Sequence, residues 1–200
     1  MAGTDEVLRG IKRRQHREEV HYPVLVPNER GLRTLLELLE RYPAQPFQQP
    51  LTDEISVFTA TTDSFARKNL NCTVAESLKK LERVTRTALD NKLRIRGYLS
   101  MVIVCPSEGK TDPKRVREVT KGLVDMGCYE VSLGDTVGQG RPHEVAEMLE
   151  EVKKDIPVDK LAVSFSLYLK CHAVFFCQLN FVGPCEWSHL LTGRRSSSLT

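Results

Sequence analysis

The sequence predicts an α/β protein built on a parallel sheet and arranged as part of a (β/α)8 barrel. Three observations predict it. Short apolar or β-branched runs ending near Pro, Gly or Asn alternate with stretches whose apolar residues recur at three- and four-residue steps. The runs begin at 22, 54, 95, 129 and 161, spaced by 32, 41, 34 and 32 residues, each the length of a strand, a crossover helix and two loops. The one Gly cluster, Gly134-Asp135-Thr136-Val137-Gly138-Gln139-Gly140, puts Asp and Thr directly after the fourth run. A dinucleotide loop of an open doubly wound sheet does not read that way, so the closed barrel is preferred.

In chain order, Tyr22 to Val26 is the first expected strand, and Leu32, Leu35, Leu36 and Leu39 mark the helix after it. Glu54 to Phe58 is the second strand. Val74, Leu78, Leu81, Val84 and Ala88 form an amphipathic helix whose start is signalled by Thr73 three residues before Glu76, a capping box. Ile95 to Val104 is the third strand. Thr111-Asp112-Pro113 places Pro just inside the helix carrying Val116, Val119, Leu123 and Met126. Tyr129 to Leu133 is the fourth strand, Arg141-Pro142 opens the helix of Val145, Met148, Leu149 and Val152, and Leu161 to Val163 begins a fifth strand. A complete barrel takes roughly 250 residues. Four units and a strand start are therefore expected to be part of one.

The chain has 200 residues, 40% hydrophobic and 28% charged, which excludes collagen-like, disordered and small disulfide-scaffold classes. A net charge of +3 is too small an electrostatic footprint for nucleic acid or anionic lipid. Six scattered Cys without CxxC pairs read as reduced thiols. The last 37 positions hold four charged residues, Lys170, Glu186, Arg194 and Arg195, and show no helical or strand period. Two regions are expected on this basis, an incomplete barrel over 1–163 and a tail of another kind over 164–200. The window 161–183 is apolar, but Lys170, His172, Gln178 and Asn180 within it argue against a membrane span.

Barrel chemistry sits at the C-terminal ends of strands. That rule selects Pro27 and Asn28, Thr59 to Thr62, Tyr98 and Ser100, and Asp135 with Thr136. Asp135 suits a metal-bound water or a substrate hydroxyl, and equally a helix N-cap or Asx turn. Tyr98 is a hydroxyl donor at the site or a core aromatic, and Arg96 an ion-pair partner. Arg67, Lys68, Asn69 and Asn71 form a polar run ahead of a helix, read either as a solvated loop or as a loop over the barrel mouth that holds an acyl chain or phosphates. Cys72 and Cys128 are expected in helices as small apolar packing groups, whereas Cys105 sits at a strand-to-loop junction with no His near it in sequence. The five His show no metal-ligand spacing.

Tyr22 to Asn28 (YPVLVPN), Lys68 to Cys72 (KNLNC), Arg96 to Ser100 (RGYLS), Cys105 to Lys110 (CPSEGK) and Met126 to Gly138 (MGCYEVSLGDTVG) together resemble the 3-hydroxy-3-methylglutaryl-CoA lyase family, over about Thr4 to Val163. The resemblance implies a metal-dependent barrel in which Mg2+ or Mn2+ chelates the acyl-CoA substrate, which is cleaved to acetoacetate and acetyl-CoA. It places the family's strand-end Asp on Asp135 and its active-site Tyr on Tyr98, with Asn69 and Thr136 as substrate-binding residues. The departures are equally specific. The family's first two strands, with their Arg-Asp pair and Glu, have no counterpart, and Ser164 and Ser166 occupy the places of a His-x-His metal pair. The Gly-rich loop with its Cys is also unmatched, and Cys171, Cys177 and Cys185 are not put in that role. No metal is therefore expected to be retained, and the chain is expected to be inactive; the alternatives are a non-catalytic partner of a full-length homologue or of a second copy, and a membrane-anchored half-barrel. The family implies a mitochondrial or peroxisomal location. Asp5 and Glu6 near the start and Ser198-Leu199-Thr200 at the end show neither address, which gives a cytoplasmic expectation by default.

Overall fold

The computed structural model describes residues 3–12, 21–44, 50–167 and 175–179. Five strands run parallel in the order of the chain: β1 (Val24–Leu25), β2 (Glu54–Ala60), β3 (Arg94–Ser100), β6 (Glu130–Asp135) and β7 (Leu161–Leu167). Each strand lies beside its predecessor, so the sheet advances in one direction, as in a barrel wall, and does not reverse at a switch point. The α/β class and the barrel arc are those expected. A last strand, β8 (Phe175–Leu179), pairs antiparallel with β7.

The helices are α1 (Thr4–Lys12), α2 (Glu29–Arg41), α3 (Asp63–Leu70), α4 (Val74–Asp90), α5 (Pro113–Asp125) and α6 (Pro142–Val152). Their starts follow from the sequence signals. Asn28 accepts from the Gly31 amide at the head of α2, and Thr73 and Glu76 form a reciprocal capping box on α4. Asp112 caps α5 with Pro113 behind it, and Glu144 accepts from the Arg141 amide at the start of α6. Among the described residues no helix is long and apolar enough to cross a membrane.

The core lies between the helices and the outer side of the sheet. Ile55 and Val57 of β2, Ile95 and Leu99 of β3 and Val131 and Leu133 of β6 are buried against Val74, Leu81, Val84 and Ala88 of α4 and Val116, Val119 and Leu123 of α5. Gly97 fits this layer tightly: a Cβ there would meet Val131 Cγ2 at 3.2 Å and Cys128 Sγ and Leu123 Cδ1 at 3.4 Å.

Three expectations about extent need correction. The first strand is two residues because Pro23 and Pro27, which lack an N–H, bracket it. The third ends at Ser100 because Met101 turns the chain with φ +64. Val104–Cys105 (β4) then pairs antiparallel with Gly109–Lys110 (β5) in a separate small hairpin. Arg67, Lys68 and Asn69 lie in α3, not in a loop, and the helix stops at Asn71 in the left-handed conformation. Cys72 and Cys128 are buried as expected, but outside the helices, Cys72 between α3 and α4 and Cys128 between α5 and β6.

Candidate functional site at the strand ends

Residues along each strand alternate between two faces. Thr59 belongs to the helix side, where its hydroxyl meets Ser77 of α4 at 2.6 Å. The opposite face therefore carries Glu54, Ser56, Phe58 and Ala60 of β2. In register beside them stand Arg94, Arg96, Tyr98 and Ser100 of β3, then Glu130, Ser132 and Gly134 of β6. Leu25, 43% exposed, and Ala162 and Ser164 of β7 extend this inner face at its two sides.

At the N-terminal end of the strands the inner face is ionic. The Tyr129 hydroxyl donates to Glu54 Oε1 at 2.7 Å, and the Arg94 guanidinium lies 4.4 Å from the Tyr129 ring centroid. Burial, together with the Glu54 carboxylate that accepts its proton, pushes the Tyr129 hydroxyl above its ordinary value. One layer up, Arg96 pairs with Glu130 at 2.5 Å, the role the sequence assigns to it, and its guanidinium lies 5.5 Å from the Tyr98 ring. This layering is not among the features expected from the sequence. Its signal is the alternation of charge in Arg94-x-Arg96 inside an otherwise apolar run.

Toward the C-terminal ends, Tyr98 stands between Phe58 and Ser132. Phe65 of α3 meets Phe58 edge-on, with centroids 6.3 Å apart, so α3 leans over the inner face. Asn69, in the last turn of α3, is exposed, and its amide donates back to the Phe65 carbonyl. The Thr136 hydroxyl accepts from the Met101 amide at 3.1 Å and ties the end of β6 to the end of β3. Asp135 shares the alternation of Val131 and Leu133 and is therefore on the helix side. It is 3% exposed, and its two oxygens accept from the amides of Gly138 at 3.1 Å and Gly140 at 2.8 Å. Of the two roles the sequence leaves open for Asp135, the turn-forming one is the geometry observed. Tyr98 and Thr136 are brought to the sheet's inner side and rim, while Asp135 lies across the sheet from Tyr98 and Asn69 rides on the covering helix.

A second cluster locks α3 to the hairpin. Thr62 and Ser64 hydroxyls lie 3.3 and 3.4 Å from Cys105 Sγ, Glu108 Oε1 accepts from the Ser64 amide at 2.7 Å, and Lys68 reaches Ser107 Oγ at 3.1 Å. Burial alone would push the Cys105 thiol up. The hydrogen bonds from Ser64, Thr62 and the Ser107 and Glu108 amides outweigh it and hold the thiol below its ordinary value.

The family model described as HMGL-like matches residues 6–173. The chain belongs to the HMGL-like family. It is 40% identical over 163 residues to the mitochondrial hydroxymethylglutaryl-CoA lyase of Bos taurus, covering 82% of this chain and 46% of that protein. It is 39% identical over 165 residues to the hydroxymethylglutaryl-CoA lyase of Pseudomonas mevalonii, covering 82% and 50%. The solved HMG-CoA lyase of Brucella melitensis superposes with a TM-score of 0.73 at 38% identity, covering 83% of this chain and 53% of that one. The chain thus spans about half the length of the HMGL-like relatives it matches. They include proteins named mitochondrial, as in Bos taurus, and cytoplasmic, as in Homo sapiens.

A divalent cation needs carboxylate, imidazole or carbonyl oxygen donors converging at one point. Among the described residues no three His, Cys, Asp or Glu side chains come together. At the rim the carboxylate of Asp135 is engaged by two amides on the helix side, and Ser164, in register with Gly134, offers a neutral hydroxyl. This donor set does not fit Mg2+ or Mn2+. Ser166 lies in β7 opposite Phe176, and its side chain falls outside what is described. Cys171 and Cys185 fall outside the described residues, as do the tail positions from 180 onward.

Proposed function

We propose that this chain is a 3-hydroxy-3-methylglutaryl-CoA lyase by descent, that its strand ends receive the branched acyl thioester, and that its described residues bind this substrate without cleaving it. The observation that carries the reading is the row Phe58–Tyr98–Ser132 on the inner face, roofed by α3, in a chain about 40% identical to proteins of that name.

Cleavage of the C2–C3 bond to acetoacetate and acetyl-CoA requires two things. The C3 hydroxyl must lose its proton, and the electron pair released toward the thioester must be held as an enolate. In this chain Tyr98 supplies a hydroxyl toward the acyl group, Thr136 fixes the rim on which that group rests, and Phe58 with Phe65 excludes water from the apolar side. Asn69, exposed in the last turn of α3, contributes its side-chain amide to the acyl chain by exchanging its bond to the Phe65 carbonyl. Among the described residues at this face, none of these groups removes the C3 proton or carries charge to the enolate, so here binding is separate from turnover. The reaction of the family belongs to leucine breakdown and ketone-body formation, in either of the compartments its members occupy.

Titration calorimetry with hydroxymethylglutaryl-CoA tests the reading. Saturable binding, weakened severalfold in Tyr98→Phe, is expected, with no acetoacetate released in the presence of Mg2+ or Mn2+. Turnover that appears with metal and disappears with chelator overturns the inactivity, and a wild-type chain with no affinity for the thioester overturns the whole reading.

A further inference from the structure

We infer that Arg96, anchored by Glu130, is a positioning residue that sets the orientation of the Tyr98 ring on the inner face. The inference rests on the proposed function for what Tyr98 does, but on the geometry for how Tyr98 is held.

Arg96 and Tyr98 are two residues apart on one strand, so their side chains leave the same face one layer from each other. The guanidinium lies 5.5 Å from the ring centroid, within range of a cation–π contact, and it is held from the neighbouring strand by Glu130 at 2.5 Å. Register makes this anchoring structural: Arg96 and Glu130 are direct cross-strand partners in the β3–β6 ladder, as Tyr98 and Ser132 are one step further. Both members of the pair are mostly buried, at 12% and 19% side-chain exposure, so neither swings freely in solvent. Pinned by the carboxylate, the guanidinium is fixed over the Tyr98 ring, so the ring turns only at the cost of this contact. A lysine in the same place would keep the charge and the ion pair but would offer no flat surface.

The contrast between guanidinium and ammonium supplies the test. The full chain is prepared with 3-fluorotyrosine, and the Tyr98 19F signal is assigned by its loss in Tyr98→Phe. Arg96→Lys is expected to melt near wild type, to shift and broaden the Tyr98 signal, and to weaken hydroxymethylglutaryl-CoA binding about fivefold. The double variant with Tyr98→Phe is expected to bind no more weakly than Tyr98→Phe alone. Arg96→Met should disturb the same signal. A Tyr98 signal unchanged in both variants, or binding losses that add in the double variant, overturns the inference. If wild type fails to bind the thioester, the functional reading falls, and the 19F signal still decides whether Arg96 holds the ring.

Discussion

The amide of Gly140 donates a 2.8 Å hydrogen bond to the carboxylate of Asp135, and a Cβ on Gly140 would stand 2.9 Å from that same oxygen. The short distance and the missing side chain belong together: the loop closes on the carboxylate only because position 140 has no Cβ. Ile103 Cγ1 and Val145 Cγ2, each 3.3 Å from that point, leave no direction of escape. Gly140→Ala is therefore expected to lower stability by about 1–3 kcal/mol, read in urea unfolding curves with an unchanged slope. Asp135→Ala, which strands two amides under the loop, should cost a similar amount. A neutral result for either would mean that the loop does not depend on the contact.

The head of α4 offers a pH-dependent case. Thr73→Ala removes the side-chain cap and should cost about 1 kcal/mol. Hydrogen bonds from the Thr73 amide and hydroxyl hold the Glu76 carboxyl below its ordinary value. A carboxyl lowered by folding contributes stability above its unfolded value and loses it as pH falls through the folded value. Melting curves from neutral to acid should show wild type losing this contribution and Glu76→Gln lacking it throughout.

The thiols of Cys105 and Cys128 should part company in an alkaline titration. The Cys105 thiol is held low, whereas burial pushes Cys128 up to about 12. With Cys72, Cys171, Cys177 and Cys185 all replaced by Ser, thiolate absorbance is expected first from Cys105, and Ser64→Ala should move that step to higher pH. Stability linked to Cys105 is present above its unfolded value and lost as pH falls through the folded one. Ser64→Ala should therefore flatten that part of the stability profile. Titration of Cys105 at or above an ordinary thiol value would contradict the hydrogen-bond account.

Tyr129→Phe removes the donor to Glu54, a carboxylate only 2% exposed. The orphaned acceptor should cost about 1–3 kcal/mol in thermal or denaturant unfolding. Binding of the thioester should hardly change, because this layer lies at the opposite end of the strands from Tyr98.

Much of the frame was legible because each unit announces itself locally. Thr73 with Glu76, Asp112 with Pro113 and Arg141 with Pro142 mark helix starts that tertiary packing has no reason to override. The apolar runs also mark the strands, because a sheet covered on one side by helices needs them. What escaped was set by contacts distant in sequence. The apolar run of the third strand continues in sequence through Val104, and nothing local reveals that Thr61 and Thr111, 40 and 10 residues away, both donate to the Met101 carbonyl where the chain bends. Helix α3 escaped because Thr62 turns its hydroxyl to Cys105 and the cap comes from Glu108 on the hairpin. At the site, Tyr98 could be picked out by its place near the end of a strand and Thr136 by its place just after one. The side of the sheet taken by Asp135 could not, since one step of register decides it.

The neighbour-to-neighbour order of β1, β2, β3, β6 and β7 also bears on how the molecule is made. A strand emerging from the ribosome finds its docking edge already in place on the segment synthesised just before it, and does not wait for a later one. Such a chain can solidify from its N-terminal side as it lengthens, with every pairing spanning a modest loop and little time spent with bare apolar surface exposed to other chains.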